Sequence, residues 1–275
     1  MRRRPAGWVP PGPVPPGAGA AGAVPGPGET LDCLSGHWRI FQLRTGHRYS
    51  TDDLLTAWYA ADAVLRGRDS PRACLDLGCG VGSVGLLLLW RFPCLRLVGV
   101  EAQEESTALA RRSLGYNGVR DRAEVRHGDF RCPGILDPRE RFALVTGSPP
   151  YLAPGEGRRS GAPQRGPCRF EERGGVRDYL RVAQRHLAPG GRVVWVHATR
   201  YRQASLEAAR AEGLCRLRYR PVVFREGRES LITLFCAGRD AGSATLEEAP
   251  LVVRTASGAY SADYAAVRRE MGFPA

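Results

Sequence analysis

The chain of 275 residues contains no lysine: all 40 of its basic residues are arginine, against 28 acidic ones, for a formal net charge of +12. So basic a balance suits a polyanionic partner such as nucleic acid, because a guanidinium binds phosphate through two parallel hydrogen bonds. The complete absence of lysine reads as GC-rich codon usage, however, so the charge alone is discounted as evidence of function. No apolar run approaches the roughly 18 residues that a membrane span needs. The start, Met1-Arg2-Arg3-Arg4, leads into Pro and Gly rather than an apolar stretch, unlike a signal peptide. The eight cysteines form no C-x-x-C pair and the five histidines do not cluster, so no metal site is expected. Several cysteines fall in apolar runs and read as reduced thiols of a cytoplasmic protein.

Residues 1–28 hold eight Pro and seven Gly without any period. Too little apolar surface is available there to offset chain entropy, so residues 1–30 are expected to be disordered and 31–275 to form one domain. Within that domain the patterning predicts strands at 38–43, 73–77, 95–101, 124–127, 142–146 and 193–196. Helices are predicted at 51–65, 84–90, 104–114, 178–187 and 203–212, the fourth of them closed by Ala188-Pro189-Gly190-Gly191. The runs 214–224 and 230–236 read as a terminal antiparallel strand pair. Alternating strands and helices define an α/β fold, a Rossmann-like doubly wound sheet that is mostly parallel.

Two motifs carry chemistry. The first is Asp76-Leu77-Gly78-Cys79-Gly80-Val81-Gly82, between the second strand and its helix. Asp76 would stand at the carboxyl edge of the sheet, where such folds bind ligands, and Gly78, Gly80 and Gly82 would let the backbone approach a nucleotide cofactor. Glu101 ends the next strand and is placed to accept both hydroxyls of a ribose. Gly80-Val81-Gly82-Ser83-Val84-Gly85 also satisfies the dinucleotide pattern G-x-G-x-x-G, so a nicotinamide cofactor remains an alternative.

The second motif is Ser148-Pro149-Pro150-Tyr151, closing the strand at 142–146. Two prolines end the ladder and stiffen the turn. An exocyclic base nitrogen is a poor nucleophile because its lone pair is delocalised into the ring. Acceptors fixed on its two N–H bonds favour a pyramidal nitrogen with an available lone pair, and Tyr151 offers a face on which a base can stack.

Together the glycine loop and the Pro-Pro-Tyr turn resemble those of S-adenosylmethionine-dependent amino-methyltransferases. Beyond them, Arg48-Tyr49-Ser50-Thr51-Asp52-Asp53-Leu54-Leu55 with Trp58, and the tail Leu251-Val252-Val253-Arg254 with Tyr260-Ser261-Ala262-Asp263-Tyr264, resemble the bacterial tRNA(Val) adenine-N6 methyltransferase family. The resemblance runs from about Leu34 to Met271. It implies S-adenosylmethionine as cofactor, tRNA as partner, and methyl transfer to adenine N6. It further implies that Thr51 and Asp52 lie beside the methionine portion of the cofactor, and that Asp129 accepts from the adenine amine. Helix capping is the competing role for Thr51 and Asp52, and turn capping for Asp129. In the family the turn begins with Asn or Asp, whereas here it begins with Ser148. Ser-Pro-Pro-Tyr is the form that resembles DNA cytosine-N4 methyltransferases, so Ser148, Pro149 and Tyr151 are the catalytic candidates with the target base open. Two readings stay open beside these: methylation of protein glutamine amides, which uses the same clamp geometry, and a non-catalytic RNA-binding relative. The glycine- and arginine-rich stretch 153–175 contributes Arg158, Arg159, Arg165 and Arg169 as candidate phosphate contacts.

Overall fold

A computed structural model describes residues 4–19, 24–46, 48–67, 71–151, 174–240, 242 and 244–275. Its strands are β1 (Glu29–Cys33), β2 (Arg39–Leu43), β3 (Ala73–Leu77), β4 (Arg96–Glu101), β5 (Ala123–His127), β6 (Phe142–Gly147), β7 (Leu187–Ala198), β8 (Cys215–Val223), β9 (Ile232–Gly238), β10 (Leu246–Glu247) and β11 (Leu251–Val252). Its helices are α1 (Thr51–Leu65), α2 (Ser83–Arg91), α3 (Glu104–Tyr116), α4 (Val176–His186), α5 (Arg202–Ala211) and α6 (Ala262–Glu270).

Strands β3 to β7 run parallel and β9 lies antiparallel between β7 and β8, giving the order β10-β8-β9-β7-β6-β3-β4-β5, with β11 also on β8. The central strands read as continuous apolar runs because both faces are covered. One core layer gathers Leu55, Leu86 and Leu109 from α1, α2 and α3, together with Val267 of α6. The opposite layer gathers Leu180 and Leu206 from α4 and α5. Across β7 and β9, Trp195 stacks on Phe235 at 4.9 Å, a pair that fixes the antiparallel register. The β1–β2 hairpin stands outside this sheet and is tied to α3 where Ser113 Oγ accepts from Phe41 N at 3.0 Å.

The expected elements recur with two kinds of difference. The helix expected to close at Ala188-Pro189-Gly190-Gly191 ends earlier, at His186, and these residues belong to β7. There they form an excursion, since Phe142 pairs with Leu187 but Leu144 pairs with Arg192. Gly190, at φ +71°, supplies the left-handed residue that the excursion needs. The second difference is at the termini. Strand β1 begins at Glu29, inside the segment 1–30 expected to be disordered, and Gly17 N donates to Tyr116 O at 3.0 Å. The tail provides β10, β11 and α6, none of which the patterning predicts, with Ser261 Oγ capping Tyr264 N at 3.0 Å. Among the described residues no helix is long and apolar enough to cross a membrane.

Candidate active site

At the carboxyl edge of β3, β4 and β6 lies a cleft of about 530 Å³, lined by both sequence motifs. Asp76, in the last residues of β3, is 2% exposed. Its Oδ1 accepts from Thr146 Oγ1 at 2.7 Å, while Oδ2 has no hydrogen-bond partner among the described residues. Burial pushes this carboxyl up to about 7, opposed by the Thr146 hydroxyl and reinforced by the charge of Asp53. Glu101 is anchored by backbone donors, Gly80 N on Oε2 at 2.9 Å and Gln103 N on Oε1 at 2.7 Å. Each of its oxygens keeps a second lone pair for a ligand.

The three glycines have different causes. A Cβ on Gly78 would meet Tyr179 Oη at 2.3 Å, and one on Gly82 would meet Ala110 Cβ at 3.3 Å. Both therefore serve packing at positive φ, and Gly82 is the N-cap of α2. A Cβ on Gly80 would meet nothing within 4 Å. Of the three, it is Gly80 that leaves room on the ligand side.

The opposite wall is the Ser148–Tyr151 turn. Ser148 is half-buried, and it lines the cleft together with the buried Pro149 and Pro150. His197, 3% exposed at the end of β7, holds this turn. Its Nε2 lies 3.2 Å from the Pro150 carbonyl and its Nδ1 2.9 Å from Ser205 Oγ. The tautomer that satisfies both carries its proton on Nε2 and donates to the carbonyl. Burial lowers this imidazole to about 4, which keeps it neutral. The ring also stacks on Tyr201 at 5.4 Å and meets the edge of Tyr151 at 5.7 Å. Across the cleft, Tyr151 Oη donates to Asp52 Oδ2 at 3.0 Å. Burial, with Asp52 beside it, pushes the Tyr151 phenol well up, so it stays a donor.

Most of the expected site residues come together here: Ser148, Pro149, Tyr151, Asp52, Asp76, Gly78, Gly80, Glu101 and Asp129 all line the cleft. Thr51 and Gly82 do not. The cap of α1 is Ser50, whose Oγ accepts from Asp52 N while Asp53 Oδ2 accepts from Ser50 N at 2.6 Å. Asp129 bends its own turn, accepting from Arg131 N at 2.9 Å, and pairs with the Arg131 guanidinium. Arg158, Arg159, Arg165 and Arg169 lie outside the described residues. The residue missed from the sequence is His197. It stands at the carboxyl end of a parallel strand, as Asp76 and Glu101 do, and the same edge rule applied to the strand at 193–196 would have found it.

Among the described residues, the acidic side chains of Asp52, Asp53, Glu101 and Asp129 line the cleft beside the raised Asp76 carboxyl, against one arginine, Arg200. Such a field repels the pyrophosphate of a dinucleotide and attracts a ligand bearing cationic groups.

The fold is shared with methyltransferases of known structure. Residues 63–160 match the family model of the methyltransferase small domain. S-adenosylmethionine, a nucleoside carrying sulfonium and ammonium charges, would fit the carboxylate-lined cleft, the anchored Glu101 and the open side of Gly80. The chain is 30% identical over 160 residues to a tRNA1(Val) (adenine(37)-N6)-methyltransferase of Porphyromonas gingivalis, spanning 57% of this chain and 61% of that relative. A protein of the same description from Aeromonas hydrophila is 28% identical over 74% of this chain and 85% of its own length. A release factor glutamine methyltransferase of Aliivibrio fischeri is 28% identical over 45% of this chain and 44% of its own. In fold, the crystal structure of a predicted O-methyltransferase from Agrobacterium tumefaciens superposes with a TM-score of 0.62 at 20% identity, over 81% of this chain and 97% of that one.

Proposed function

We propose that the chain transfers a methyl group from S-adenosylmethionine to an exocyclic base nitrogen, adenine N6 of a tRNA. The observation that carries this reading is the shared cleft: the Ser148–Tyr151 turn faces the same 530 Å³ as Asp76 and Glu101. The names of the Porphyromonas and Aeromonas relatives support tRNA adenine as the target. A cytoplasmic location goes with it.

In this reading Glu101 holds the ribose hydroxyls, Asp76 faces the cationic methionine portion, and Asp129 accepts from the adenine of the cofactor. When bound, the cofactor supplies a methyl on a positively charged sulfur, an electrophile that needs no activation by a general acid. The chain's task is to present the nucleophile. Ser148 Oγ and a carbonyl of the turn accept the two N–H bonds of the amine, which turns its lone pair outward toward the methyl. His197, donating from Nε2 to the Pro150 carbonyl, keeps the turn from relaxing. Once the new N–C bond forms, the extra proton on nitrogen leaves to water, so no group of high pKa is required.

A second reading, methylation of a protein glutamine amide, is favoured by the Aliivibrio relative, since a primary amide offers the same planar NH2. Tritiated S-adenosylmethionine with total tRNA, DNA and protein, followed by mass spectrometry of the labelled fraction, separates the two. Label in N6-methyladenosine of tRNA is expected. Label confined to glutamine, or to cytosine N4 of DNA, replaces the substrate proposed here. Cofactor binding with no transfer to any fraction leaves a non-catalytic RNA-binding protein.

A further inference from the structure

We infer that a second cavity, lined by Arg131, Arg141, Arg185 and Arg239, is a binding groove for the phosphodiester backbone of the RNA substrate. This rests on the nucleic-acid reading above. The cavity, of about 530 Å³, lies between the segment that joins β5 to β6 and the last turns of α4. Phe130 lines both this cavity and the active-site cleft, so a nucleotide in one is adjacent to a backbone lying in the other.

The two cavities carry opposite charge. The cleft is walled by five acidic side chains, whereas the second cavity is lined by four arginines and His186 and by no carboxylate among the described residues. Basic side chains alone would be unremarkable in an arginine-rich chain, but here their charge is kept available. Arg141 Nη1 donates to the carbonyls of Pro138 at 2.6 Å and Glu140 at 2.8 Å. Arg239 Nη1 donates to the Leu187 carbonyl at 3.4 Å. Neutral carbonyls orient a guanidinium without cancelling its charge, which leaves further N–H donors for an anion. Arg185 is exposed in the last turn of α4. None of these three pairs with a carboxylate among the described residues. Neighbouring arginines behave differently. Arg131 is paired with Asp129 at 2.6 Å, and Arg139, in the same segment but outside the cavity, is 90% exposed and paired with Asp137 at 3.1 Å. A concave surface with unneutralised guanidinium groups, contiguous with a base-binding cleft, matches an RNA strand, whose phosphates position it while one base enters the site.

The test is the salt dependence of binding of the full chain to an unmodified tRNA transcript, with S-adenosylhomocysteine affinity as the measure of an intact fold. For the triple variant Arg141→Gln, Arg185→Gln, Arg239→Gln, three lost phosphate contacts should flatten the log–log slope by about 2 to 3. Affinity at low salt should fall by about tenfold or more. S-adenosylhomocysteine binding should be unchanged, and Arg139→Gln should leave the slope as in the wild type. The groove is overturned if the triple variant keeps the wild-type slope, or if Arg139→Gln alone flattens it as much. Wild-type protein that binds no tRNA at any salt, yet methylates a protein amide, overturns the nucleic-acid reading and the groove together. Intact binding with an unaffected triple variant overturns the groove alone.

Discussion

The cofactor wall of the cleft comes from one contiguous stretch, from β3 through the glycine loop and α2 to β4. The clamp wall is held from 47 and 99 residues away, by His197 on Pro150 and by Asp52 on Tyr151. The first wall is made mostly by local chain geometry, with backbone N–H groups fixing Glu101 and Gly80 leaving room, while Thr146 of β6 holds Asp76. The second depends on tertiary contacts between β6, β7 and α1. Burial in each wall also brings one group to titrate between pH 4 and 7, and the two pull stability in opposite directions as pH changes. Asp76 is raised by burial to about 7, and His197 is lowered by burial to about 4.

The largest effect expected is at Asp76. Its folded value lies above its unfolded value near 4, so its contribution is fully present below pH 4 and is lost as pH rises through 7. The loss is on the order of 4 kcal/mol. In Asp76→Asn this decline should disappear, while affinity for S-adenosylhomocysteine falls because the facing carboxylate is gone. Chemical unfolding of the cofactor-free protein at several pH values between 4 and 8 reads both curves. Parallel curves for wild type and variant would mean that Asp76 is ionised in the folded state and that its burial is offset by contacts other than Thr146.

At His197 the sign reverses. The folded value near 4 lies below the unfolded 6.5, so the unfolded chain binds the extra proton between these values and stability rises with pH across that window. The rise should reach about 3 kcal/mol. His197→Gln removes the titration, so subtracting its unfolding curve from that of the wild type should isolate a step between pH 4 and 6.5, with the Asp76 contribution common to both. A difference that is flat with pH would show that His197 is not buried neutral, and the hydrogen bond to Pro150 would lose its support.

Ser148 sharpens the comparison from the chemical side. Ser148→Ala should lower methyl transfer by about 10²-fold, the usual cost of one well-placed polar contact, while cofactor affinity, belonging to the other wall, stays near the wild-type value. Ser148→Asn restores the side chain usual in the adenine-directed family and should retain or raise activity on adenine. Transfer by Ser148→Ala at the wild-type rate would leave the acceptor role to backbone carbonyls alone.

The same division decides what could be read from the sequence. Asp76, Gly80 and Glu101 were legible because a strand, a tight turn and the next strand end leave their mark within a short span. The Ser-Pro-Pro-Tyr turn was legible as a stiff turn, but the contacts that support it were not. Nothing near position 150 points to a histidine on β7 or to the aspartate that begins α1. Gly78 and Gly82 look like cofactor glycines in sequence, and only packing reveals that Tyr179 and Ala110 occupy the space of their missing side chains. The excursion at Ala188–Gly191 reads locally as a helix stop, whereas the buried pairing of Leu187 with Phe142 draws it into β7. The short strands β10 and β11 are fixed by pairing with β8, and their two-residue length, not their composition, is what hides them in the sequence.

The smallest effect expected, at Tyr151, separates two roles for one side chain. If the ring acts only as a platform for a base, Tyr151→Phe keeps the face and should behave as the wild type, whereas Tyr151→Ala should lose about 1–3 kcal/mol of base capture. The structure adds a different contribution: the hydroxyl donates to Asp52 Oδ2 at 3.0 Å and bridges the start of α1 to the clamp. A hydrogen bond to a carboxylate contributes about 1.5 kcal/mol or more, so Tyr151→Phe should lower kcat/KM for tRNA by about tenfold through a looser turn. Asp52→Ala should lower it by a similar factor, and the double variant Asp52→Ala, Tyr151→Phe should be no worse than either single one, because both remove the same bond. Additive losses would show that Asp52 and Tyr151 act independently, with Tyr151 serving the base and Asp52 the cofactor. Non-additive losses with unchanged S-adenosylhomocysteine affinity would assign the bond to the clamp, and make α1 the element through which the two walls of the cleft are joined.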